Sequence, residues 1–190
     1  MNEIKKHLQT VFNISEEEVD IFLSVFTKTT LKKNTVFLEQ GQVCNKVALI
    51  EKGLLKCVYH KNGEEIVFEF SFENNFISDY YSFLTDTSSQ KEIRCIENST
   101  LYVTTKQHLE KLGNKYSFIE SMSRKVNEKL FLTIHNRLKS KLLDTPTEQY
   151  QKLLLERPDL VSRIPQYLIA SYLNVKPETI SRIRKKITGQ

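Results

Sequence analysis

Apolar and polar positions along this chain follow three successive rhythms. From Asn2 to about Phe26, Ile4, Leu8, Val11 and Phe12 fall near one face of a helix. The pattern restarts after Ser15, where Glu16, Glu17 and Glu18 suit a capped first turn. Two short helices are predicted there. From Thr29 to about Thr105 the apolar runs TVFLEQG, KVALIEKGLLKCVYH, EEIVFEFSF and TLYVTT, separated by polar turns, read as strands. Asn62-Gly63 lies between two of them, and such a pair accepts the positive φ of a two-residue hairpin turn. Gly41 and Gly53 close other runs as turn residues. So many short strands favour a roll or barrel over a parallel sheet.

After Lys106 the period becomes helical. Ile119, Met122, Val126, Leu130, Ile134 and Leu138 recur at spacings of three and four, with Arg124, Lys125, Glu128 and Lys129 between them. They predict one long helix from about Tyr116 to Ser140. It exceeds what a small domain needs, so Ile119, Met122, Val126, Leu130 and Ile134 are expected to meet the same helix of a second subunit. After a break at Asp144, Thr145 and Pro146 suit a helix start, with Tyr150, Leu153 and Leu154 facing inward until Pro158 and Asp159 interrupt.

The last segment reads RIPQYLIASYLNVKPETISRIRKKITGQ. Pro165 opens a helix with Leu168, Ile169, Tyr172 and Leu173 on one side, and Ala170 lets a neighbour approach closely. Asn174 tolerates left-handed backbone geometry, and Val175 plugs the turn. Pro177 starts a second helix with Ile180, Ile183 and Ile187 inward. Lys176, Glu178, Thr179, Ser181, Arg182, Arg184, Lys185 and Lys186 are left largely outward. Arginine can pair bidentately with guanine and glutamate can accept from cytosine, so Glu178 and Arg182 are candidate base readers. Tyr167, Lys176, Thr179, Ser181, Arg184, Lys185 and Lys186 suit phosphate contacts.

Charge strengthens that picture. Residues 1–105 hold 11 Lys/Arg against 15 Asp/Glu, whereas residues 106–190 hold 17 against 8, so the net charge of +5 resides in the C-terminal half. A polyanion such as DNA would meet that half first. With 190 residues, 39% of them apolar, five glycines and four prolines, the chain is an ordinary globular one of one or two domains. No apolar run is long enough to span a membrane and the N-terminus lacks a signal-like apolar core, so a cytoplasmic protein with no membrane partner is expected. Cys44, Cys57 and Cys95 are odd in number and widely spaced, which suggests buried thiols and no thiolate metal site.

The segment IASYLNVKPETISRIRKK resembles the helix-turn-helix of the Crp/Fnr family of bacterial transcription regulators, particularly short, divergent members found in Bacteroidetes-like bacteria. The resemblance covers nearly the whole chain. It implies an α+β protein: a double-stranded β-helix or jelly roll of the cyclic-nucleotide-binding type at residues 1–140, with flanking helices and a long dimerisation helix. A DNA-binding domain of residues 141–190 follows, all-helical or minimally winged, because Gln190 leaves no room for an extended wing. The implied partners are double-stranded DNA, a second copy of the chain, RNA polymerase and a small-molecule effector of unread identity. Before Glu178 stands Pro177, where nucleotide-responsive members often carry arginine.

The sensor segment FENNFISDYYSFLTDTSSQKEIRCIEN lacks the family's Gly-Glu pair and has Ser89-Gln90 where Arg-Ser/Thr is expected, which argues against cAMP or cGMP as effector. Arg94, further along, reads as a satisfied surface residue. The close N-terminal cysteine set of iron–sulfur members is missing, and His7, His60, His108 and His135 are isolated, so no cofactor is expected. Phe68, Phe70, Phe72, Phe76, Tyr80, Tyr81 and Phe83 would serve core packing or line an apolar effector pocket. No HExxH, P-loop or nucleophile elbow is present, so an enzyme is not expected. The rival reading is a small-molecule-binding or protein-interaction module that keeps the fold without reading DNA.

Overall fold

The computed structural model describes residues 3–188. Two short helices, α1 (Glu3–Phe12) and α2 (Glu16–Leu23), open the chain. The expected cap is formed: Ser15 Oγ accepts from the Glu18 amide while the Glu18 carboxylate accepts from the Ser15 amide. Eight strands follow among the described residues: β1 (Thr27–Leu31), β2 (Val36–Leu38), β3 (Lys46–Lys52), β4 (Leu55–Lys61), β5 (Glu64–Ser71), β6 (Phe76–Ile77), β7 (Lys91–Cys95) and β8 (Ser99–Thr105). Helix α3 (Tyr80–Thr85), which the sequence pattern did not announce, separates β6 from β7.

The strands form two four-stranded antiparallel sheets, ordered β1-β8-β3-β6 and β2-β7-β4-β5. Asn62 and Gly63 both take positive φ (54° and 81°) in the β4–β5 hairpin, as that turn requires. Gly53 has φ +119°, and a Cβ there would lie 2.2 Å from Ser99 Oγ, so both its conformation and its neighbour exclude a side chain.

Side-chain alternation explains why KVALI and LLKCV read as continuous apolar runs. Ala48 and Ile50 of β3 and Leu55 and Cys57 of β4 face each other between the sheets with Ile93 and Leu101. Leu49 points the other way, onto Leu8, Val19 and Leu112 of the helical layer. Val58, with Val67 and Phe70 of β5, points out of the second sheet onto the C-terminal helices. Both outer faces are therefore covered, which removes the polar half of the alternation.

Beyond β8 come α4 (Lys106–Lys115) and the long helix α5, which runs Phe118–Leu143, starting later and ending later than the sequence pattern indicates. Thr145 caps α6 (Pro146–Glu156) with Pro146 at its first position, as expected. The interruption at Pro158 is real, but the chain immediately resumes as α7 (Pro158–Arg163). Helices α8 (Gln166–Leu173) and α9 (Pro177–Thr188) complete the described residues. Among those residues no helix is long and apolar enough to cross a membrane.

Candidate nucleic-acid interface and ligand cavity

Helices α8 and α9 pack through Leu168, Ile169, Leu173, Ile180 and Ile183, all buried. Between them Asn174 takes left-handed geometry (φ 57°, ψ 46°), and its amide and that of Val175 close onto the Ala170 and Ser171 carbonyls. Gln166 Nε2 donates to the Pro177 carbonyl at 3.0 Å and fixes the angle at which α9 departs. Glu178, Arg182, Lys185 and Lys186 are exposed, as is Lys176, while Thr179 and Ser181 are half-buried. Tyr167 projects from α8 at 59% exposure. Arg184 is directed elsewhere in part: its Nε donates at 2.8 Å to the hydroxyl of the buried Tyr150 on α6.

The residues expected on the long helix divide. Ile119 and Met122 are buried in the layer formed with α1, α2 and α4, and Val126 packs against that layer. Leu130 is half-buried and Ile134 is 51% exposed. The exposed apolar side chains lie further along: Phe131, Leu132, Ile134, Leu138, Leu142 and Leu143.

A cavity of about 1440 Å³ opens between the β-sheets and α5. It receives much of the aromatic stretch: Phe68, Phe76, Tyr80, Tyr81 and Phe83 line it, whereas Phe70 packs on Tyr172 and Phe72 receives Arg157. At its inner end Asp79 Oδ2 accepts from Ser89 Oγ at 2.6 Å and Asp79 Oδ1 pairs with Lys91 Nζ at 2.7 Å. Burial pushes the Asp79 carboxyl up, but those two partners win and hold it below its ordinary value. Burial likewise pushes the Cys57 thiol up to about 12, so it faces the cavity as an inert thiol. Arg94 points away, forked onto Glu92 and bonded to the Asn34 carbonyl.

A β-bulge shapes this wall. Cys57 pairs with Glu69 and Val58 with Val67, so Phe68 is the extra residue, and Phe68 and Glu69 both line the cavity. Glu69 is solvent-exposed within the cavity, although protein lies close around it there. Burial raises its carboxyl above the ordinary value against the pull of Arg137 on α5 and Lys91 on β7. A carboxyl raised in the folded state is best tolerated at low pH, and its cost grows as pH rises through the folded value. Glu69→Gln should therefore raise the thermal midpoint above that value, and the gain should vanish as pH falls to the unfolded carboxylate range. Thermal scans across pH check this, and equal gains at every pH contradict it.

Sheet and C-terminal helices are joined at several points. Ser171 Oγ of α8 accepts from the Val67 amide (2.9 Å) and donates to the Glu65 carbonyl (3.0 Å), both on β5. Arg163 of α7 grips Glu73 and Glu97 through four hydrogen bonds of 2.5–3.4 Å, which hold its guanidinium firmly protonated. Arg137 of α5 lies 4.9 Å from the Phe68 ring and 4.7 Å from that of Tyr172.

A family model, the cyclic nucleotide-binding domain, matches residues 28–116. No curated protein matches the sequence. Solved structures align over nearly the whole chain. FixK2 from Bradyrhizobium japonicum shares 16% identity with a TM-score of 0.72, covering 87% of this chain and 86% of its own. The c-di-GMP-responsive global regulator CLP of Xanthomonas campestris shares 12% with a TM-score of 0.71, covering 92% of each chain. A protein described as a Crp/Fnr-family transcriptional regulator, from Eubacterium rectale, shares 13% with a TM-score of 0.71, covering 97% and 89%. The chain thus shares the fold of these proteins. Its particular form is an α+β cyclic-nucleotide-binding-like domain with flanking helices, followed by a helical C-terminal unit.

Proposed function

We propose that this protein is a homodimeric, sequence-specific regulator of transcription that reads double-stranded DNA with a helix-turn-helix formed by α8 and α9. One observation carries the reading: two helices with a shared apolar face, joined by a left-handed turn at Asn174, leave Glu178, Arg182, Lys185 and Lys186 exposed along α9. Residues 1–140 would form the jelly-roll sensor and residues 141–190 the DNA-binding unit. Glu178 and Arg182 are assigned to base edges; Tyr167, Lys176, Thr179, Ser181, Lys185 and Lys186 to the backbone, with Arg184 shared between phosphate and Tyr150. A true duplex binder weakens steeply as salt rises and prefers a selected dyad over random duplex. Binding that is absent at low salt, with the chain folded and dimeric, contradicts the reading.

For dimerisation, Ile119 and Met122 serve the subunit's own core, so the seam is assigned to Val126, Leu130, Phe131, Ile134, Leu138 and Leu142. Sedimentation equilibrium should show a dimer at tens of micromolar, and Leu138→Glu should return a folded monomer. A monomeric wild-type chain at that concentration excludes the seam.

The cavity is assigned to an effector other than cAMP or cGMP. Asp79 is already engaged by Ser89 and Lys91, and no arginine lines the cavity among the described residues. An effector there would press on β5, whose Phe68 faces the cavity and whose Val67 and Phe70 carry α8.

A further inference from the structure

Toward its own subunit α5 presents Ile119, Val126 and Leu130 at helical spacing. Further along the same face stands Arg137, half-buried. A cation fits where the stripe calls for an aliphatic side chain because two rings receive it: the guanidinium carbon lies 4.9 Å from the centre of the Phe68 ring and 4.7 Å from that of Tyr172. Among the described residues the guanidinium makes no hydrogen bond and no ion pair, so the rings are its partners. Each ring belongs to a different part of the molecule. Phe68 is the bulge residue of β5 and lines the cavity, where Lys91, held by Asp79, also lies over it at 4.7 Å. Tyr172 stands on α8, packed on Phe70 at 5.4 Å and next to Ser171, whose hydroxyl engages the β5 backbone. Helix α8 in turn shares with α9 the core that holds Ile169 and Ile180. One side chain of the long helix thus touches both the cavity wall and the helix that carries α9.

We propose that Arg137 is a positioning residue that sets α8, and with it α9, relative to α5, and that passes displacement of the cavity wall at Phe68 to the DNA-reading surface. Without the guanidinium, the two rings close on the space it fills and α8 moves with Tyr172, because packed interiors do not keep such gaps. In a dimer joined along α5, that shift changes the spacing and angle of the two α9 helices, which a two-fold DNA site reads directly. A single half-site is indifferent to it. The effect on DNA rests on the regulator reading; the junction of α5, β5 and α8 at Arg137 does not.

The test titrates the full-length chain against a selected dyad duplex and a duplex carrying one half-site. Arg137→Met, which keeps the stem and removes the planar cation, should weaken dyad binding about tenfold, the scale of two lost cation–ring contacts. Arg137→Lys keeps the charge without the flat face, so it should fall between wild type and the methionine variant, and it serves if that variant does not fold. Half-site binding should stay within about twofold for both, since α9 itself is untouched. Phe68→Leu and Tyr172→Leu should each weaken dyad binding in the wild-type background and add little in the Arg137→Met background, where the link between them is already cut. Equal losses on both duplexes, unchanged dyad binding, or full losses from Phe68→Leu and Tyr172→Leu in the Arg137→Met background overturn the proposal. If the wild-type chain binds neither duplex, the regulator reading fails and urea unfolding decides the junction: Phe68→Leu and Tyr172→Leu should destabilise less than additively with Arg137 present and additively in the Arg137→Met background. Additivity with Arg137 present overturns the junction as well.

Discussion

Replacing Ile169 with alanine should destabilise the whole protein by about 2–5 kcal/mol, the cost of removing a large aliphatic side chain from a closed core. Ile169 has no exposure and lies among Val58, Val67 and Phe70 of the sheet as well as Tyr150, Ile164 and Ile180 of the C-terminal helices. The cavity left behind would thus weaken both sides of the junction. Ser171 pins α8 to the β5 backbone and Arg163 ties α7 to Glu73 and Glu97, so the helices cannot relax away from the sheet without losing those bonds too. Calorimetry should therefore show one cooperative transition in the wild type and one, shifted downward, in Ile169→Ala. Two resolved transitions in the wild type would show instead that the helical unit folds independently of the sheet.

That shared core marks the limit of what could be read from the chain. Local signals were legible because they are local: the Ser15 cap, the Asn62-Gly63 turn, the Thr145-Pro146 helix start and the left-handed Asn174 each depend on a few neighbouring residues. The exposed cluster on α9 was legible for the same reason, since the inward Ile180 and Ile183 fix its outward face, whereas Ile187, expected inward with them, is 40% exposed near the helix end. Arg184 was assigned wholly to phosphate because its partner Tyr150 lies 34 residues earlier in the chain and no periodicity links them. Ile119 and Met122 show the same limit in the opposite sense. A stripe at helical spacing says that a face is apolar but not which surface covers it, and here α1, α2 and α4 cover its first turns. Glu69 was hidden by the bulge. In the run VFEF simple alternation sets Glu69 on the side of Val67, away from Phe68, and only the extra residue in β5 turns both Phe68 and Glu69 to the cavity.

Substitutions along α9 should separate reading of bases from grip on the backbone. Arg182→Ala should cost about 1–3 kcal/mol on the selected duplex and much less on random sequence, because it deletes a donor fork aimed at a base edge. Lys186→Ala should weaken both duplexes alike and reduce the salt slope by about one, because a phosphate contact is blind to sequence but releases a counterion. Both side chains are exposed, whereas the helix is held by Ile180 and Ile183, at 0% and 6% exposure, so neither change should alter the circular dichroism or the thermal midpoint appreciably. Titrating the two variants and the wild type against both duplexes at two salt concentrations gives the comparison. Equal losses on selected and random duplex for Arg182→Ala would move that residue to the backbone set and leave Glu178, next to the turn, as the remaining candidate for base reading.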